Sequence, residues 1–86
     1  MTLSEAQARV LRAVRDGADL VIHTRQTGRG PYYTLAGRRL SVVTLKELEA
    51  RRLVAREANA GRLYLLTEAG AAALAEWERA RSISLP

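Results

Sequence analysis

Residues 41–70 read SVVTLKELEARRLVAREANAGRLYLLTEAG, and the punctuation of this stretch decides the fold. Ser41 is an N-cap residue, because its hydroxyl can accept from the open amides of a first helical turn. Val42, Leu45 and Leu48, with Leu53 at the exit, recur at helical spacing and predict the buried stripe of a helix over 41–52. Val43, Thr44, Glu47, Ala50 and Arg51 point away from that stripe, with Lys46 and Arg52 at its flanks. Residues 54–57 then read as a strand, Asn59-Ala60-Gly61 as a turn, and Arg62-Leu63-Tyr64-Leu65-Leu66 as the returning strand. Leu63 and Leu65 fall on one face of that strand, Tyr64 and Leu66 on the other. Thr67 caps a further helix, rich in alanine and ending near Arg81.

Working back toward the N-terminus, Ser4 with Gln7 forms a capping box, and Val10, Leu11 and Val14 give an apolar stripe. These predict a helix over 5–16, stopped by Gly17. Leu20 to Arg25 reads as a strand, a Gly-rich segment follows at 26–31, and Tyr32 to Ala36 reads as its antiparallel partner. Period two turns Leu20, Ile22, Tyr33 and Leu35 toward the core, and Val21, His23, Arg25, Tyr32 and Thr34 outward. Gly37-Arg38-Arg39-Leu40 reads as a tight basic linker. The expected architecture is α+β, in the order helix, hairpin, helix, hairpin, helix.

A chain of 86 residues makes one domain, expected over 1–81 with a tail at 82–86. A core this small leaves a thin stability margin, and without cysteine no disulfide can reinforce it. Dimerisation is a reasonable expectation, with a seam through Trp77, Leu74, Ile83 and Leu85. Packing of Trp77 back onto the first helix is the equal alternative. No apolar run is long enough to span a bilayer, and nothing reads as a leader, so a cytoplasmic protein with no membrane partner is expected.

The chemistry available is narrow. His23 is the lone histidine and cysteine is absent, so no zinc-type ligand set is legible. No nucleophile stands at motif spacing from a base. The Gly28-Arg29-Gly30 spacing is not a phosphate-cradling loop. Neither an enzyme nor a cofactor is expected. Charge is the informative quantity. Residues 1–19 set Arg9, Arg12 and Arg15 against Glu5, Asp16 and Asp19, for a net of zero. Residues 67–86 set Arg79 and Arg81 against Glu68, Glu76 and Glu78, for −1. Residues 20–66 carry eight Arg and one Lys against Glu47, Glu49 and Glu57, for +6. A basic middle between balanced ends is the electrostatic footprint of a nucleic-acid binder.

The pattern Tyr33-x-Leu35-x-Gly37, Ser41, Leu48, Arg51-Arg52-Leu53-Val54 and Gly61-x-Leu63-Tyr64-x-Leu66-Thr67-Glu68-Ala69-Gly70 resembles small bacterial and phage winged-helix proteins. It is similar to the C-terminal half of MarR- and PadR-type regulators. Arg52 stands where those regulators have glycine, and a hairpin stands where they have a helix. The resemblance implies that the helix over 41–52 is a recognition helix and the hairpin after it a wing. The opening Leu3-Ser4, Gln7 and Arg9 also resembles a small toxin-like family, which implies inhibition of a topoisomerase.

On this reading the expected partner is double-stranded DNA and the expected role transcriptional regulation. Thr44, Lys46 and Arg51 would face the groove. Arg38 and Arg39 would hold a phosphate jointly with the helix N-terminus. Arg56 and Arg62 would flank the wing, while Arg25 and Arg29 would frame a mobile loop suited to the minor groove. The alternative is a protein-interaction module, or a toxin-like inhibitor of a nucleic-acid enzyme. Its motivation is Glu47 and Glu49, whose carboxylates would repel phosphate.

Overall fold

The computed structural model describes residues 3–24, 28, 30–58 and 61–83, the side chains of 82 and 83 excepted. The elements run α1 (Glu5–Arg15), β1 (Leu20–His23), β2 (Tyr32–Leu35), β3 (Arg38–Leu40), α2 (Val42–Ala50), β4 (Val54–Arg56), β5 (Leu63–Leu66) and α3 (Glu68–Ile83). The five strands form one antiparallel sheet in the order β3-β2-β1-β5-β4. The chain is therefore α+β. No helix among the described residues is long and apolar enough to cross a membrane. Arg25, Arg29, Asn59, Ala60 and Leu85 lie outside the described residues.

Local chemistry accounts for the helix ends. The Ser4 hydroxyl accepts from the Gln7 amide at 3.1 Å, and the Gln7 side-chain oxygen accepts from the Ser4 amide at 3.0 Å. Both partners of the capping box are thus in place. At the other end of α1, the amides of Gly17 and Ala18 donate to the carbonyls of Val14 (3.1 Å) and Ala13 (2.9 Å), closing a Schellman motif.

Alternation along β1 and β2 follows the sequence: Leu20, Ile22 and Tyr33 are buried, while Val21, His23, Tyr32 and Thr34 are half-exposed. Leu20, Tyr33, Tyr64 and Val54 pack beneath Leu11, Leu45, Leu48 and Leu74, all nearly or wholly inaccessible. Each such side chain stabilises the fold by roughly 1.5–3 kcal/mol. Tyr33 and Tyr64 meet edge to face at 6.1 Å.

Residues 38–40 depart from expectation. They form β3, paired with β2 through Tyr33–Leu40, Thr34–Arg39 and Leu35–Arg38, and are not a linker. The order is consequently helix, three-stranded meander, helix, hairpin, helix. The turn between β2 and β3 is Ala36-Gly37, with φ of 54° and 82°. Two successive positive φ values match the turn to the right-handed twist of the strands. Asparagine is the usual signal at the first of these positions, and alanine conceals it.

A second departure concerns Val42, expected in the buried stripe of α2 but 44% exposed. Leu45 and Leu48 are fully buried as expected. The helix ends in another Schellman motif: the amides of Arg52 and Leu53 donate to the carbonyls of Glu49 (3.0 Å) and Leu48 (2.9 Å). Arg52 has φ 59°, so it adopts the left-handed conformation that glycine prefers. Arg52→Gly is therefore expected to stabilise the fold by about 0.5–1 kcal/mol, after allowing for glycine's greater freedom when unfolded. Urea unfolding of the two proteins measures this; a lower midpoint for the glycine variant contradicts it.

Before α3, the Thr67 hydroxyl accepts from the Gly70 amide at 2.9 Å and lies 2.7 Å from the Arg52 carbonyl oxygen. The Thr67 amide donates to the Leu53 carbonyl at 3.1 Å. These bonds tie the start of α3 to the exit from α2. Leu74 then packs in the core, and α3 lies along α1.

Candidate nucleic-acid interface

The sheet sorts the basic side chains. Residues paired across strands share a face. Arg38 pairs with Leu35 on the side that carries the helices, and Arg39 pairs with Thr34 on the opposite side. The expectation that both arginines hold one phosphate at the start of α2 is corrected: the pleat turns consecutive strand residues apart. Arg38 alone lies on the side of α2. The Arg39 guanidinium sits 4.5 Å over the Tyr32 ring, which stacks on His23 at 4.7 Å. His23 Nε2 lies 2.8 Å from the Thr34 hydroxyl. The histidine is thus part of a surface stack on the face of the sheet away from the helices. Among the described residues no group of three His, Asp or Glu side chains could hold a metal ion.

β3 and β4 are opposite borders of the sheet, four strand steps or about 19 Å apart. The helix α2 joins them in sequence and packs on β2 and β4, so it crosses between the two borders. Arg38 stands at one border. Arg56 on β4 stands at the other; Arg62, just before the inner strand β5, belongs to the same hairpin, and both are exposed. Lys46 is exposed on α2, Arg51 caps its C-terminus, and Thr44 is half-buried in its first turn. The Arg56 guanidinium donates to the Gly61 carbonyl, with Nε at 2.9 Å, and so braces its own hairpin.

The two carboxylates of α2 are engaged from within the protein. Glu47 accepts from the Gln7 side-chain amide at 2.9 Å, a bond that fastens α2 to α1. Gln7 is itself 4% exposed. Glu49 accepts from the Tyr64 hydroxyl at 3.0 Å and pairs with Lys46 at 3.9 Å. Burial, and then the Glu49 hydrogen bond, push the Tyr64 phenol well above its ordinary pKa, so it remains a donor. Neither contact is legible in the sequence, since Gln7 and Glu47 are 40 residues apart. The capping box shows one end of Gln7; nothing local shows where the other end goes.

Ion pairing is concentrated elsewhere. Arg12 and Arg15 pair with Glu78 at 3.1 and 2.8 Å, and Arg81 pairs with Glu5 at 3.6 Å. The hydrogen bond from Arg15 is the main cause that holds Glu78 below the usual carboxylate range. These exposed pairs contribute little stability. They do absorb acids of the terminal helices. Among the described residues Arg38, Arg56 and Arg62 join no ion pair.

The expected dimer seam is also changed. Leu74 is fully buried in its own core and is not available to a second copy. Trp77 is half-buried between the guanidiniums of Arg81 (4.7 Å) and Arg12 (5.8 Å), beside a pocket of about 170 Å³ that Glu5 and Arg9 also line. The Ile83 side chain falls outside the description. No family model matches this chain, and comparison with curated proteins and with solved structures found no match.

Proposed function

We propose that this is a small winged-helix-like protein that binds duplex DNA in the service of transcriptional control. On this reading α2 enters the major groove. The β3 border and the β4–β5 hairpin, acting as the wing, reach the phosphates on either side. One observation carries the proposal: Arg38 on one border strand and Arg56 on the other bracket α2, whose own carboxylates accept hydrogen bonds from Gln7 and Tyr64. The protein-module alternative draws its motivation from Glu47 and Glu49 on that helix; both accept hydrogen bonds from within the protein, and Glu47 remains exposed.

Arg38, Lys46, Arg51, Arg56 and Arg62 offer about five phosphate contacts. Each contact releases counterions, so log K is expected to fall with log salt at a slope of about −4.5 on B-DNA. Fluorescence anisotropy of a labelled duplex, titrated at several salt concentrations, measures it. A slope near zero would overturn the proposal.

A further inference from the structure

We infer that the first turn of α2 reads thymine 5-methyl groups, with Val43 as the principal reading side chain and Val42 beside it. This rests on the groove-binding role proposed for α2 and gives that role a preferred substrate, duplex presenting thymine in the major groove. Val43 is 67% exposed and Val42 44%, two adjacent large apolar side chains that their own protein leaves mostly and partly uncovered, respectively. They occupy the first two positions of the helix.

Stability alone would not choose them. β-branched residues are poorer helix formers than the straight-chain alternatives. A helix N-terminus also favours an acid, because its open amides carry partial positive charge. The other two helices follow that rule, with Glu5 in the first turn of α1 and Glu68 in the first turn of α3. The first turn of α2 has no acid. It is methyl-rich and uncharged. Departures from local preference of this kind are expected where a surface serves a ligand.

The surroundings narrow the ligand. Arg38 lies three residues before Ser41, on the strand that leads into the turn; Lys46 follows one helical turn later, beside the exposed Glu47, whose carboxylate accepts from Gln7. An apolar tip between cations complements an apolar spot between phosphates. In the major groove that spot is the thymine methyl, which sets thymine apart from cytosine and from uracil. N-terminal residues of a groove-bound helix are those that meet base edges.

The test uses the whole chain and two short duplexes of the same A·T-rich sequence. One contains thymidine; the other contains deoxyuridine throughout and lacks only the methyl groups. The expected result is about fourfold weaker binding to the deoxyuridine duplex for each methyl buried. Val43→Ser should lose most of this discrimination, with an unchanged melting midpoint because the side chain is exposed. Equal affinity of the parent for the two duplexes overturns this inference and leaves duplex binding standing. Undiminished discrimination by Val43→Ser overturns the assignment to Val43. Failure of both duplexes to bind in a salt-dependent way overturns the groove-binding role of α2. A protein partner captured by the parent and lost with Val43→Ser, with no duplex binding, assigns the valines to a protein surface instead.

Discussion

Gly70→Ala is expected to remove cooperative folding, or to cost about 3 kcal/mol or more where folding survives. A Cβ at this position would overlap the Leu53 carbonyl oxygen and would come within 2.8 Å of Leu66 Cδ1. The leucine side chain has room to rotate. The carbonyl does not, because it accepts from the Thr67 amide and belongs to the exit from the α2 Schellman motif. Relief would require α3 to lift away, taking Leu74 out of the core. Alanine is a better helix former than glycine by about 1 kcal/mol, so propensity alone predicts the opposite sign. Circular dichroism and urea unfolding separate the two outcomes. A variant as stable as the parent would show that α3 is not seated against Leu53. The same contact gives a physical meaning to Leu66-Thr67-Glu68-Ala69-Gly70: threonine ties the junction and glycine lets it close.

Charge reversal is expected to act unequally on two adjacent arginines. Arg38→Glu combined with Arg62→Glu should weaken duplex binding by about a hundredfold at moderate salt, near tenfold per site, and flatten the salt slope by about two. Arg39→Glu should change affinity by no more than about threefold, because its side chain faces the other side of the sheet and lies over Tyr32. All three positions are exposed, so melting midpoints should stay close to that of the parent. Anisotropy titrations of the parent, Arg38→Glu, Arg39→Glu and the Arg38→Glu/Arg62→Glu double variant measure the effect. Equal damage from Arg38→Glu and Arg39→Glu would mean that the polyanion does not lie along α2.

Local signals gave most of the architecture. The capping box at Ser4 and Gln7, the stop at Gly17, the alternation of Leu20, Ile22 and Tyr33, and the junction at Thr67 are all where the sequence places them. Each depends on residues within a few positions of one another. The misses have a common cause. Strand β3 was hidden because Ala36 occupies a turn position where asparagine is the usual sign, and because two arginines do not resemble a strand. A linker leaves Arg38 and Arg39 on one side, whereas the pleat of a strand parts them. Helical spacing put Val42 in the core, although the buried surface of α2 narrows to Leu45 and Leu48. The bonds Gln7–Glu47 and Tyr64–Glu49 join distant segments, and periodicity carries no trace of them. Those two bonds fasten α2 to α1 and to the sheet; their donors are neutral, so each carboxylate keeps its charge, and Glu47 stays exposed.

The two outermost strands carry one more implication. Each is three residues long, and each includes arginine. Brief, cationic margins keep open backbone groups from zipping onto a neighbouring molecule's strand. Guanidiniums proposed to grip a polyanion therefore also guard against self-association. Mutations that trade them for neutral or apolar residues will blur two phenotypes, lost affinity and lost solubility, whereas reversal to glutamate preserves the guard and exposes affinity alone.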